Sequence, residues 1–149
     1  MRIAVRIGIV IFGLLVVLAG WEAARNPAGP PEVAKAQLAV SRHLAQEAVD
    51  SLGTANDWSA VTVENADLNA YALILHYTAR PDKPEQIEAD TRLAVGSVLY
   101  QLTLSSHHPS DEQTIITAQA LYEGNGQPVI LGEAKYDFAK DKVIFDSPK

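Results

Sequence analysis

Leu68-Asn69-Ala70-Tyr71-Ala72-Leu73-Ile74-Leu75-His76-Tyr77 is the stretch on which the fold turns. Read with a period of two, Tyr71, Leu73, Leu75 and Tyr77 fall on one side. Ala72, Ile74, His76 and Thr78 fall on the other, the pattern of a strand with one side in a core. Read with a helical period, its alanines and leucines would serve a short helix from Leu68 to Tyr77. Just upstream, Val61 and Val63 alternate with Thr62 and Glu64, and Asn65-Ala66-Asp67 supplies turn chemistry. The spacing predicts a hairpin, residues 60–64 paired with 69–79.

An amphipathic segment lies on each side of this hairpin. Over residues 32–52, Val33, Leu38, Val40, Leu44, Ala45, Ala48, Val49 and Leu52 fall within one half of a helical wheel. Lys35, Arg42, His43, Gln46, Glu47 and Asp50 fall in the other half. Pro31 suits a first turn and Gly53 a stop. The apolar stripe has the width of a core-facing helix, so it is predicted to pack on a sheet of the same molecule. A helix lying on a membrane surface would be richer in Lys and Arg. The second helix is predicted to open at Asp82-Lys83-Pro84-Glu85, with Asp82 and Glu85 as a capping box. Ile87, Thr91, Ala94, Val95, Val98, Leu99 and Leu102 share one face. Leu93, Tyr100 and Leu104 lie opposite, which predicts either cover on two sides or a change to strand over Val98–Leu104.

Ser105–Asp111 reads as a polar loop. Thr114–Tyr122 is rich in β-branched residues, and Gly124-Asn125-Gly126 is a turn signal. Val129–Phe138 and Lys142–Phe145 form a hairpin around Ala139-Lys140-Asp141. The predicted fold class is α+β: two helices on one face of an antiparallel sheet of about five strands, in the order α-β-β-α-β-β-β. Glu133, Lys135, Lys140 and Lys142 would blunt an edge or face solvent.

The amino terminus carries a different signal. Arg2 and Arg6 precede an uncharged apolar run, Ile7–Trp21. Residues 3–21 would span roughly 28 Å as a helix, close to a hydrocarbon core of about 30 Å. Arg6 could snorkel to the headgroups, and Trp21 sits where an interfacial aromatic belongs. The alternative is a signal peptide cleaved after Val17-Leu18-Ala19. Asn26-Pro27-Ala28-Gly29-Pro30-Pro31 is a stiff spacer that cannot continue a helix. The expected organisation is an anchor or signal over 1–21, a proline-rich linker over 22–31 and an extracytoplasmic domain over 32–149. The basic start favours a cytoplasmic amino terminus with the domain outside, in the periplasm or on the cell surface. Cleavage near Ala19 would release it instead.

Arg2 and Arg6 are two of twelve basic residues, so residues 22–149 hold ten against all eighteen acidic ones, a formal net charge of minus eight. With no basic cluster to offset that charge, nucleic acid is not an expected partner. The chain has no cysteine, which removes disulfides, cysteine–zinc sites and thiol nucleophiles. Gly124-Asn125-Gly126 lacks the following helix and Lys-Ser/Thr pair of a phosphate loop. Gly96-Ser97 lies in a helical pattern and is no nucleophile elbow. His43 and Glu47 stand four apart on a polar helix face, which predicts a solvated ion pair. His107 and His108 are adjacent in a loop, and adjacent side chains diverge too far for a zinc site. His76 is expected as a half-buried, hydrogen-bonded residue; it is also the one histidine around which a dispersed hydrolase site could be built. Glu88 with Asp90, and Asp111 with Glu112, are carboxylate neighbours whose environments the sequence does not separate. Tyr71 and Tyr77 read as core. No catalytic, cofactor-binding or metal residue is assigned, and no cofactor is expected.

An apolar amino-terminal run, an amphipathic helix and an antiparallel sheet together are similar in plan to the type IV pilins. The chain departs from them at decisive places: no Gly-Phe precedes the run, no Glu lies five residues into it, and prolines break the long helix. Anchor, helix and strands also look like small periplasmic modules such as PepSY or cystatin-like domains. Likeness of architecture implies no function. The expectation is a membrane-tethered, non-enzymatic extracytoplasmic domain. It would touch the bilayer through residues 3–21 and bind a protein partner or further copies of itself. A released small-molecule binder and a hydrolase are the alternatives.

Overall fold

The computed structural model describes residues 31–53 and 58–148. The expected anchor or signal over 1–21 and nearly all of the linker over 22–31 lie outside these. Among the described residues no helix is long and apolar enough to cross a membrane. The chain divides into two units, Met1–Gln37 and Leu38–Lys149.

Helix α1 spans Pro31–Leu52, and Gly53 ends it in the left-handed region at φ +64°, where a residue without Cβ is at ease. Strands β1 (Trp58–Asp67) and β2 (Ala70–Tyr77) form the predicted hairpin. The strand period wins in β2, whose odd-numbered residues Tyr71 to Tyr77 are buried and even-numbered ones half-buried. The turn is shorter than predicted. Only Leu68-Asn69 separates the strands, and β1 continues through Asn65-Ala66-Asp67. Two register shifts, between Trp58 and Ala60 and between Val63 and Asn65, place an extra residue in β1 at each point. These bulges keep the edge strand in step with its neighbour.

Helix α2 spans Pro84–Leu104 without turning into strand. Its expected capping box does not form. Lys83 is the N-cap in extended conformation, with no side-chain cap bond. Pro84 explains this, because it drives the preceding residue to extended backbone and itself fits the first helical position. Strands β3 (Ile115–Gly124), β4 (Gln127–Asp137) and β5 (Lys142–Asp146) follow. Asn125 and Gly126 take φ +52° and +74°, the two left-handed residues of a tight hairpin turn.

The five strands lie side by side in sequence order. The sheet is mixed, which corrects the antiparallel expectation: β2 and β3 run parallel. The reason is α2. A helix of 21 residues carries the chain back along the sheet, so β3 restarts from the same end as β2.

Both helices and the inward side of the sheet share one core. Leu44, Ala45, Ala48 and Leu52 come from α1; Ile87, Ala94, Val95, Val98 and Leu102 come from α2. They meet Tyr71, Leu73, Leu75, Tyr77, Ile116, Ala118 and Ala120. The alanines of β3 leave room for the helices above them. Each large aliphatic side chain buried here contributes about 1.5–3 kcal/mol. Polar pins cross the layers. The Ser97 hydroxyl donates to the Ala48 carbonyl at 2.8 Å and lies 2.7 Å from Ser51 Oγ, joining the two helices. Ser41 donates to the Leu68 carbonyl at 3.3 Å, joining α1 to the first hairpin. Arg92 pairs with Glu88 at 2.8 Å and also donates to the Val143 carbonyl, holding the edge strand β5.

Candidate functional site

Val33 and Val40 of the stripe predicted to face the core are exposed on the first part of α1, and two further surfaces of the described residues are not absorbed into the core. The first is the outward side of the sheet. One register row crosses all five strands: Thr62, Ile74, Gln119, Glu133 and Asp146. Beside it run Ala72, Thr117, Lys135 and Ile144, and on the other side Ala60, His76, Leu121 and Ile130. Three pairs of polar groups on this side meet across neighbouring strands. Gln119 Nε2 donates to Glu133 Oε2 at 2.6 Å. Lys135 Nζ stands 3.9 Å from Asp146 Oδ2. His76 Nε2 and Thr62 Oγ1 are 2.8 Å apart.

His76 therefore sits half-buried and hydrogen-bonded, outside the apolar core. It lines an open depression of 540 Å³ with Ala60, Thr62, Leu121 and Glu123. Two others are similar in kind: 470 Å³ between α1 and β1, including Leu38, Arg42, Val63 and Glu64, and 310 Å³ around Arg80, Pro84, Ile87 and Phe145. All three open to solvent, unlike a pocket that wraps most of a small ligand.

The second surface is the outer side of α2. Leu93, Tyr100 and Leu104 are 54%, 60% and 61% exposed. Neither expected fate holds, since the segment stays helical and nothing among the described residues covers these side chains. They belong to the longest stretch of the chain without Asp, Glu, Lys or Arg, the eighteen residues Leu93–Ser110. Gly96 lies in the middle of the stripe, where a Cβ would meet nothing within 4 Å. Glycine in a helix interior costs about 1 kcal/mol relative to alanine. Nothing among the described residues uses the space that cost leaves open.

The remaining candidates resolve as follows. His43 and Glu47 form an exposed pair at 3.4 Å. His107 Nδ1 meets the Glu112 carboxylate at 3.1 and 3.2 Å, while His108 is exposed and its backbone N–H donates to Glu112 at 3.3 Å. The Glu112 carbonyl in turn accepts from Asn69 at 3.2 Å. Glu112 thus organises the loop after α2. Among the described residues no three His, Cys, Asp or Glu converge on a point that could hold a metal ion. Asp111 stays exposed.

Glu88 and Asp90 part company. Glu88 lies on the surface with Arg92, whereas Asp90 is buried and accepts a hydrogen bond from Tyr77 Oη at 2.7 Å. Asp90 was open to discovery in the sequence, because it falls between Ile87 and Ala94 at the three- and four-residue spacing of the buried face. Tyr71 and Tyr77 are core residues as read, and burial raises the Tyr71 pKa. Burial also pushes the Tyr136 pKa up to about 12, helped by its 2.6 Å bond to Asp141. The Lys140 ammonium, bonded to Asp137 at 2.9 Å, holds that carboxyl below its ordinary value.

No protein-family model, curated protein or solved structure matches this chain.

Proposed function

We propose that this chain is a membrane-tethered extracytoplasmic domain that acts as an accessory or assembly subunit by binding protein, and that it is not an enzyme. The observation that carries the reading is the outer side of α2. Leu93, Tyr100 and Leu104 are the exposed apolar side chains that share one helix side within an uncharged run of this acidic chain. Exposed apolar side chains that gather into a patch mark interaction sites. The apolar run of residues 7–21, with its basic start and proline spacer, supports the tether. The outward side of the sheet supports the non-enzymatic part. A relay for hydrolysis needs a site that excludes water and separates the pKa values of its groups, and His76 stands in an open depression beside a threonine.

The test is purification of the full-length protein from membranes in mild detergent. The expected result is a species larger than one chain. A lone monomer at every loading would overturn the interaction. Amino-terminal sequencing examines the tether separately: Met1 is expected at the start of the mature chain, and a start at Gly20 would make the protein a released one.

A further inference from the structure

We infer that the outer side of α2 is a dimer contact, and that its occupant is α2 of a second copy of this chain, packed antiparallel about a two-fold axis between Gly96 and Ser97. The inference rests on the protein-binding reading above and adds the partner's identity. Three observations lead to it.

The first is charge. In a two-fold contact the residues at the axis meet their own copies, so a charge there meets its like. On a domain with a net charge of minus eight over residues 22–149, self-association is favoured where the axis is free of ionised groups. Leu93–Tyr100, the segment that faces itself across this axis, carries none. A basic partner would be drawn to the acidic remainder of the molecule instead.

The second is shape. An antiparallel pairing about Gly96 and Ser97 sets Leu93 opposite Tyr100 of the second copy and Leu104 opposite its Ala89. Two large side chains meet, and a large one meets a small one. Leu93, Tyr100 and Leu104 are all available, each more than half exposed, and Ala89 is exposed as well. The stripe is complementary to its own reversed image.

The third is Gly96. Its missing Cβ relieves no contact among the described residues, since none of them lies within 4 Å of where that atom would be. Its backbone needs no left-handed geometry, because it is an ordinary helical residue. Glycine in a helix is used where another backbone approaches closely, and the centre of a helix pair 8–10 Å apart is such a place.

Two experiments test the proposal in the full-length chain. In the first, Gly96→Ala is compared with the unaltered protein. The monomer is expected to melt about 4 °C higher, as a helix relieved of glycine should. The dimer is expected to dissociate about tenfold more readily, because two methyl groups enter the axis. A dimer of unchanged affinity would overturn the proposal.

In the second, Leu93→Cys and Tyr100→Cys are co-expressed in an otherwise cysteine-free chain and treated with a short bis-maleimide. The mixed pair is expected to cross-link more than either variant alone, and Lys140→Cys, at the far hairpin, is expected to stay monomeric. No excess over Lys140→Cys would overturn the proposal. A photo-crosslinking amino acid in place of Leu104 separates the two levels of failure. An adduct to a different protein without self-adduct would overturn the dimer and keep the protein-binding reading. No adduct at all would overturn both.

Discussion

The outward side of the sheet and the outward side of α2 both face solvent, yet they are finished differently. Across the sheet, polar groups answer one another on adjacent strands: Gln119 with Glu133, Lys135 with Asp146, Thr62 with His76. Of the apolar residues between them, Ile74, Leu121 and Ile144 are half-buried and Ile130 is exposed. Along α2, Leu93, Tyr100 and Leu104 protrude with no charged neighbour in their stretch of sequence. A surface meant for water carries its own hydrogen-bond partners. Leu93 and Leu104 have no group that could do so, and Gly96 at the centre of their stripe weakens the helix for no gain among the described residues.

The sharpest way to break this comparison is to turn α2 over. Leu102 is 2% exposed and Leu104 61% exposed, although they are two residues apart. Leu102→Ala is expected to lower stability by about 2–5 kcal/mol through lost burial and the cavity left behind. Leu104→Ala should move monomer stability by less than about 0.5 kcal/mol. Chemical denaturation of both variants at low protein concentration reads the difference, and equal losses would mean that the Leu104 side is covered after all.

Gly132, unlike Gly96, is a glycine whose space is used. A Cβ there would meet the Phe145 ring at 2.6 and 2.7 Å and Ile87 Cγ2 at 3.2 Å. Gly132→Ala is expected to cost about 1–3 kcal/mol as β5 is pushed away. Gly96→Ala should stabilise the monomer, and thermal melts of the two variants should move in opposite directions.

Thr114 supplies a smaller effect of opposite sign. Its hydroxyl is buried and has no hydrogen-bond partner among the described residues. Thr114→Val keeps the shape and removes the unsatisfied group, so a gain of about 1 kcal/mol is expected in denaturant melts. The smallest change belongs to the finished surface. Gln119→Ala removes a part-buried bond at the sheet exterior and should cost no more than about 1 kcal/mol. A loss of several kcal/mol there would show that the sheet exterior is structural in a way its exposure does not reveal.

The element order and the inward residues of β2 were legible because one buried side imposes a period of two on the sequence. Leu93, Tyr100 and Leu104 were legible as a second stripe for the same reason at the helical period. What covers a stripe is not written in its own spacing, so cover and exposure looked alike from the sequence. The parallel pairing of β2 and β3 was implicit in a helix between two strands, but runs of hairpins on either side pointed to an antiparallel sheet. The bulges of β1 left no mark, because an extra residue in an edge strand reads as one more residue of turn. Asp82 and Glu85 looked like a capping box because the pattern ignores what Pro84 does to the backbone before it. His76 was placed correctly as half-buried and hydrogen-bonded, although the sequence could not name Thr62 as its partner.

The bulges of β1 have one more consequence. A sheet in sequence order has two open margins, and each is a template on which another chain could add a strand. Here one margin is interrupted twice within ten residues and the other is a five-residue strand bracketed by exposed Lys142 and Asp146. Neither offers a straight run of unpaired amides. Growth from molecule to molecule through the backbone is thereby discouraged at both ends, and many copies can crowd together without seeding a fibre.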